Sequence, residues 1–359
     1  MQHSLTTGFF PQLSVIIPTM NESRTLPELL EGLERQRQIQ LEVIVCDGGS
    51  QDETAEAAKR AGVILVQSDA GRGRQMNRAA DRATAAHLLF LHADSRPTSD
   101  LQLHDALEAL VATCAQAASK RIAGHFRLRF RRQLKGNDLA YSYYEKKSAL
   151  NRAECTNGDQ GFLMPAEFFR ELGGFDESLW FLEDQRLAEK IRRTGRWITL
   201  PGAMETSARR FEHEGLGRRM ILSALIMNFH SIGLTEFFDR ADNVYRNQEN
   251  TGRLLMTPIF QLISDLNREA GIDVSRQRWR ATGRYVLSHA WQPFFYLDAV
   301  VIGKLFKTSA HPLLTLHDSV FKPITRFAIF EILTAGLTWI WFLISWKVFS
   351  LLEQRGSPE

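Results

Sequence analysis

Four short apolar runs, each followed by a helix-patterned stretch, limit what the first hundred residues can become. The runs are LSVIIPT (13–19), LEVIVCD (41–47), VILVQ (63–67) and the stretch from Leu88 to Leu91. Runs of this length, apolar on both faces, read as strands covered from both sides. Between them the period changes. From Arg24 to Gln38, Leu26, Leu29, Leu30 and Leu33 recur at helical spacing, and DETAEAAKRAG reads as a helix stopped at Gly62. Consecutive strands joined through helices pair in parallel, because a hairpin turn cannot make that connection. The fold class is therefore α/β, a mostly parallel, doubly wound sheet with helices on both faces.

The full length of 359 residues exceeds the usual size of one core, so one large domain followed by a second region is expected. A hydrophobic share of 44% with 24% charged residues is that of a folded chain. The net charge of +3 is dispersed, which does not point to nucleic acid as a partner. Cys46, Cys114 and Cys155 are far apart and form no CxxC pair, which predicts a reducing compartment and no zinc centre. No basic start followed by an apolar core marks a secretory leader at the N-terminus.

In a parallel sheet the loops after the strands line one edge, and ligands bind there. Those loops run from Pro18 to Glu22, with Thr19 and Asn21, then from Asp47 to Ser50, from Arg72 to Asn77, and from His92 to Ser95. Asp47 can accept from a base or ribose, Gly48 and Gly49 let the backbone approach closely, and Arg72 or Arg74 can neutralise phosphate. An acidic residue at a strand end, here Asp94 in FLHADS, can hold a divalent ion against a diphosphate, with His92 two residues away as a further ligand. Each feature also has a plain alternative: DGGS is a common turn, the arginines suit a solvated helix face, and Asp94 suits a helix cap. Neither a GxxxxGK[ST] loop nor a GxGxxG after the first strand is present, which argues against a P-loop or dinucleotide site.

Taken in order, SVIIPTMNE, VIVCDGGSQDET, the strand-end Asp94, GGFDE (173–177) and LEDQRLAEKIRRTGR (182–196) resemble a family 2 glycosyltransferase with the GT-A fold. Within that family, GRGRQMNRAA, FLHADSRP, NGDQGFLMP (157–165) and TSARRFE (206–212) are similar to the branch labelled arsenosugar-biosynthesis glycosyltransferases. The resemblance implies inverting transfer of a sugar from a nucleotide-diphosphate donor with a divalent metal, Mn2+ or Mg2+, on the diphosphate. It places Asp94 at the retained metal-binding aspartate, while His92 stands where the commoner pattern has another acid. Asp47 matches the first of an acidic pair whose second member is replaced by Gly48. Asp184, in the family's ED motif, is the expected base, with Glu183 beside it pointing in another direction on the helix. Asp159 and Gln160 are expected on the sugar or acceptor side, and His213 as an added ligand from a closing loop. A nucleotidyltransferase and a non-catalytic nucleotide-sugar-binding scaffold are the competing readings.

The expected domain limits are 1–215 for the transferase and 216–359 for a helical, membrane-associated region. RRMILSALIMNFHSIGL (218–234) suits a buried or interfacial helix, and Trp279, Trp291, Phe294, Phe295 and Tyr296 are placed to anchor at headgroup level. Residues 327–349, FAIFEILTAGLTWIWFLISWKVF, form the candidate membrane helix, spanning or lying flat. A lipid-linked acceptor at the cytoplasmic face of the inner membrane fits that reading.

Overall fold

The computed structural model describes residues 11–179, 181–246, 253–306 and 310–355. The chain divides into two compact units, Met1–Arg131 with Asn137–Ser207, and Arg132–Gly136 with Ala208–Glu359.

The first unit is built on one sheet of eight strands: β1 (Leu13–Thr19), β2 (Leu41–Asp47), β3 (Ile64–Gln67), β4 (His87–Phe90), β5 (Arg96–Pro97), β6 (Ile122–Arg131), β7 (Phe162–Pro165) and β8 (Arg196–Ser207). They lie in the order β3-β2-β1-β4-β7-β6-β8-β5. The first four strands pair in parallel, as their apolar runs predict. Beyond β4 the sheet becomes mixed, since β7 runs antiparallel to both β4 and β6, while β6 and β8 are parallel. The chain leaves β1 toward β2 on one side and returns to β4 on the other, so the switch point falls between β1 and β4. Crevices of this kind receive ligands in open α/β sheets.

Helices cover both faces. On one, α1 (Leu26–Glu34) sets Leu26, Leu29, Leu30 and Leu33 into a core with Val15, Ile17 and Leu89. After α2 (Thr54–Arg60), the opposite face is covered by α3 (Arg72–Ala80). The helix α4 (Gln102–Gln116) joins the first core through Leu103, Ala106 and Leu110. Three further helices follow, α5 (Asp138–Ser148), α6 (Ala166–Glu171) and α7 (Glu183–Thr194), and the last two complete the second core. That second core is aromatic. Phe90 packs on Phe169 and Phe175 at ring distances of 4.8 and 5.0 Å, and Phe162 on Trp197 at 4.9 Å.

The second unit is helical: α8 (Arg209–Glu214), α9 (Leu216–Ser231), α10 (Thr235–Arg246), α11 (Thr257–Glu269), α12 (Ile272–Ser288) and, after shorter turns, a C-terminal helix (Ala328–Gln354). Its core joins Leu222, Leu225 and Phe229 of α9 to Phe260 and Ile263 of α11 and Phe342 of the C-terminal helix. Within the 218–234 segment one side, with Leu222, Leu225 and Phe229, is buried in this core. Trp291 and Phe295 are buried within the protein, not at a headgroup position, with Phe295 edge-on to His311 at 5.0 Å. Tyr296 alone of the five expected anchors is exposed.

At the sheet edge away from the crevice, Glu42 of β2 ties three segments together. Its carboxylate accepts from the Ser14 hydroxyl at 2.5 Å and from the Thr84 N–H and hydroxyl at 2.8 Å each. Burial opposes the charge on Glu42, and these donors more than offset it, so its pKa is held below the ordinary carboxylate value. A depressed folded-state pKa contributes stability that is present above the ordinary value and lost as pH falls through the lowered one. Glu42→Gln should therefore melt at a lower temperature than the native chain at pH 7, and the gap should close on acidification in thermal scans taken across that window.

Candidate active site

The loop after β2 is shaped by Asp47. Its carboxylate is buried and accepts from the N–H groups of Gly49 and Ser50, at 3.2 and 3.1 Å, and from the Ser50 hydroxyl. Gly49 sits at φ +95°, a conformation that side chains rarely adopt. Asn21, also left-handed at φ 56°, receives the next loop: its N–H donates to Ser50 Oγ and its Oδ1 accepts the Gln51 N–H at 2.8 Å. Pro18 and Thr19 close β1 beneath, while Glu22 accepts the Thr25 hydroxyl at 2.6 Å and the Leu26 N–H through its carbonyl at the start of α1. Asp47 therefore organises the rim, and Asn21, Gly49 and Ser50 are the groups it turns outward.

Gln75 crowds the space beside Gly48. The Gln75 amide is buried and donates to the carbonyls of Thr19 and Cys46, both at 2.8 Å, pinning α3 to the ends of β1 and β2. A Cβ on Gly48 would lie 3.0 Å from that amide. That space is filled by a neutral brace. Gln75 had a signal that the sequence reading did not use: it is a polar residue on the buried side of α3, next to Met76 and one turn before Ala79.

The Gly-broken start of α3 packs against the GGFDE loop and the start of α7. A Cβ at Gly73 would meet the Asp176 carbonyl at 3.1 Å and the Phe175 and Glu183 Cβ atoms at 3.4 Å. That approach lets Arg72 Nε pair with Glu183 Oε1 at 2.6 Å. Burial opposes the guanidinium charge, but Glu183 and Asp184 facing it outweigh that, and the Arg72 pKa is raised. One expected catalytic carboxylate, Glu183, and one expected donor contact, Asn77, are engaged within the protein here. Glu183 is fully buried under Arg72, so it serves to hold that arginine and is not available as a base. Asn77 donates to the Phe175 carbonyl and to Glu177, both at 2.9 Å, and accepts the Phe175 N–H, which makes it a brace for the GGFDE loop. Arg74 is half-exposed, 3.3 Å from Asp69 and 3.6 Å from Glu177.

The strand-end residues and the ED motif converge at Gly158. A Cβ there would lie 3.0 Å from Asp184 Oδ2 and 3.1 Å from His92 Nε2, so the backbone of NGDQG threads between the end of β4 and the start of α7. Asp184 is half-buried, and its Oδ2 accepts the Gly158 N–H at 2.7 Å. Leu182, left-handed at φ 70°, delivers the chain into α7 at the angle that turns Glu183 inward and Asp184 toward Gly158. His92 Nδ1 pairs with Asp159 Oδ1 at 2.8 Å. Burial disfavours charge on this imidazole, but the Asp159 carboxylate outweighs it and raises the His92 pKa, with Asp94 adding and Arg72 subtracting. Gln160 differs from expectation. It is fully buried, its amide donating to the Ser148 and Phe126 carbonyls at 2.8 and 3.0 Å, so it supports the NGDQG turn from behind. His213 lies exposed on α8 of the second unit.

Residues 14–173 match the model of the family described as Glycosyl transferase family 2. That stretch lies within the first unit and is similar to this family. The eight-stranded sheet with helices on both faces bears out the expected α/β class, and a helical region follows it in the chain. A PGL/p-HBAD biosynthesis glycosyltransferase of Mycobacterium bovis (strain BCG / Pasteur 1173P2) is 41% identical over 91 residues, 23% of this chain and 36% of that one. A 4,4'-diaponeurosporenoate glycosyltransferase of Staphylococcus haemolyticus is 35% identical over 112 residues, 29% of this chain and 28% of that one. The chain thus spans about a third of the length of the curated relatives it matches. Among solved structures, a mannosyltransferase from Pyrobaculum calidifontis in complex with GDP-Man and Mn2+ aligns over 96% of this chain and 88% of that one, at 18% identity and TM-score 0.46. S. aureus TarS 1-349 in complex with UDP aligns over 89% and 90%, at 18% identity and TM-score 0.44.

The tight fit at Gly48 yields a double-substitution test. Gly48→Asp should lower stability by about 1–3 kcal/mol, as overpacking does, and Gln75→Ala should also lower it by unpairing two buried carbonyls. In the double variant the losses should be less than additive, since removing one brace makes room for the other side chain; urea unfolding of all four proteins reads this directly.

Proposed function

We propose that the first unit is an inverting glycosyltransferase, moving a sugar from a nucleotide-diphosphate sugar to a hydroxyl or phosphate acceptor in a single displacement. The observation that carries the reading is the meeting of His92 and Asp184 on either side of Gly158. The end of β4 and the first turn of α7 come close there, and in this reading leaving-group and acceptor chemistry share an anomeric carbon beside them.

In this reading Asp184 takes the acceptor proton. Its carboxylate is aimed by the Gly158 N–H, and its neighbour Glu183 is withdrawn beneath Arg72, so one carboxylate of the pair is left to act. Arg72, kept cationic and held by Glu183, faces the departing diphosphate. Asn21, Gly49 and Ser50 present the rim to the nucleoside. Asp94 would hold a divalent ion, Mn2+ or Mg2+, jointly with the diphosphate oxygens. Among the described residues, no three or more His, Cys, Asp or Glu gather around one point, so the hard oxygen donor Asp94 fits an ion shared with the substrate rather than one caged by protein alone. Such an ion supplies charge neutralisation of the leaving group. His92 and Asp159 pair beside it at 2.8 Å. The acceptor is proposed to be lipid-linked, at the cytoplasmic face of the inner membrane, because the second unit carries a long exposed apolar helix.

Thermal shift against a panel of UDP, GDP and dTDP sugars, with and without Mn2+, should identify one donor that stabilises the chain only with metal. With that donor, Asp184→Asn should cut turnover on the order of a hundred- to ten-thousand-fold while donor stabilisation persists. Asp94→Asn should instead abolish the metal dependence of donor binding. Donor binding with no turnover on any hydroxyl or phosphate acceptor would sink the catalytic reading.

A further inference from the structure

The C-terminal helix is built inside out for a protein surrounded by water. Its inward stripe, which packs on the second unit's own core, includes the small or polar Thr334, Ala335, Thr338 and Ser345 beside Phe342 and Trp346. Its outward face carries the large aliphatics: Leu337 is 68% exposed, Ile344 59% and Leu333 55%, with Ile329, Ile340 and Leu352 beside them. Water alone selects the reverse pattern. Phe306, 73% exposed, and Phe327 extend the apolar surface within the same unit. Exposed apolar area on this scale marks a buried partner surface.

Charge and length decide what that partner is. Among the residues from 319 to 352, Lys322, Arg326 and Lys347 are exposed, while the one acid, Glu331, turns inward to Arg280 and Arg284 of α12 at 3.9 and 3.5 Å. The apolar face is therefore bordered by cations without exposed acids, which suits an anionic lipid surface better than a second copy of the same cationic face. Crossing the bilayer is disfavoured on two counts. The uncharged stretch Ile332–Trp346 rises about 22 Å at 1.5 Å per residue, short of the about 30 Å of hydrocarbon. In addition, α12 runs antiparallel against this helix, with Gly283 letting the backbones touch at Glu331 and Ala335 and Trp279 packing on Phe342 at 5.3 Å. A spanning helix would carry Arg276, Arg280 and Arg284 of α12 toward the bilayer interior with it.

We infer that the outward face of the C-terminal helix lies in the plane of an anionic lipid bilayer, sunk to the headgroup and upper acyl level, and does not cross it. The second unit holds the helix in place at both ends. Glu331 is bound by the α12 arginines, and Glu353 pairs with Arg218 and accepts the N–H groups of Met256 and Thr257 at the start of α11. The inference stands on this unit alone, so it can fail without touching the catalytic reading.

Flotation of the full chain with extruded phosphatidylethanolamine–phosphatidylglycerol vesicles should succeed, and with phosphatidylcholine vesicles it should be weaker. Lys322→Gln with Arg326→Gln should weaken binding to the anionic vesicles roughly thirtyfold at low salt. Leu337→Glu with Ile344→Glu should abolish it while leaving the circular dichroism melt of the inward-packed helix in place. Trp339 and Trp341 should be quenched more by lipids brominated at acyl positions 6 and 7 than at 11 and 12. Stronger quenching from the deeper bromines would mean a span and overturn the in-plane placement. Absence of flotation, with a dimer that the Leu337 and Ile344 substitutions dissociate, would assign the face to a second copy and overturn the membrane.

Discussion

A single ion pair sets the geometry of the candidate active site. Glu183 is completely buried, and a buried carboxylate without its partner costs about 3–5 kcal/mol. Arg72 must therefore be where Glu183 is, and α3 must lie against the start of α7. Gly73 makes that approach sterically feasible, and Leu182 accepts a left-handed backbone to begin α7 at the required angle. Once Glu183 is committed inward, the adjacent Asp184 is delivered to the other side, beside Gly158 and His92. The division of labour within the ED pair follows from the helix: neighbouring residues point about 100° apart, so burying one exposes the other.

Neutral braces then fix the rim around this pair. Gln75 clamps two strand ends, Asn77 clamps the GGFDE loop, and Gln160 supports the NGDQG turn, each donating its amide to backbone carbonyls. Amides suit this work because they satisfy buried carbonyls without adding charge to the interior. Gly48 belongs to the same economy of space, since Gln75 occupies the volume beside it.

Much of this was legible from residue patterns. The four parallel strands and their helices followed from apolar runs and helical spacing, and the parallel pairing of β1 to β4 puts the loops that carry Asn21, Arg72, His92 and Asp94 after the strands, with Asp47 ending β2. The sheet beyond β4 was not legible. Antiparallel β7 and the long β6 and β8 are joined by contacts between residues far apart in sequence, and local periodicity carries no information about which distant strand lies alongside. Likewise, Glu183, Asn77 and Gln160 read as catalytic, donor-side and sugar-side groups, and only the elements packed around them show their side chains bonded within the protein.

The sequence by itself determined the α/β class, the location of the ligand edge and the presence of an unusually apolar C-terminal helix, because alternation, strand length and hydropathy are properties of neighbouring residues. Tertiary structure alone decided which member of each polar pair faces the cleft, and which side of the C-terminal helix faces out. Those choices depend on what occupies the opposing surface: Arg72 over Glu183, Gln75 against Gly48, and the arginine-bearing α12 along the small-residue side of the last helix.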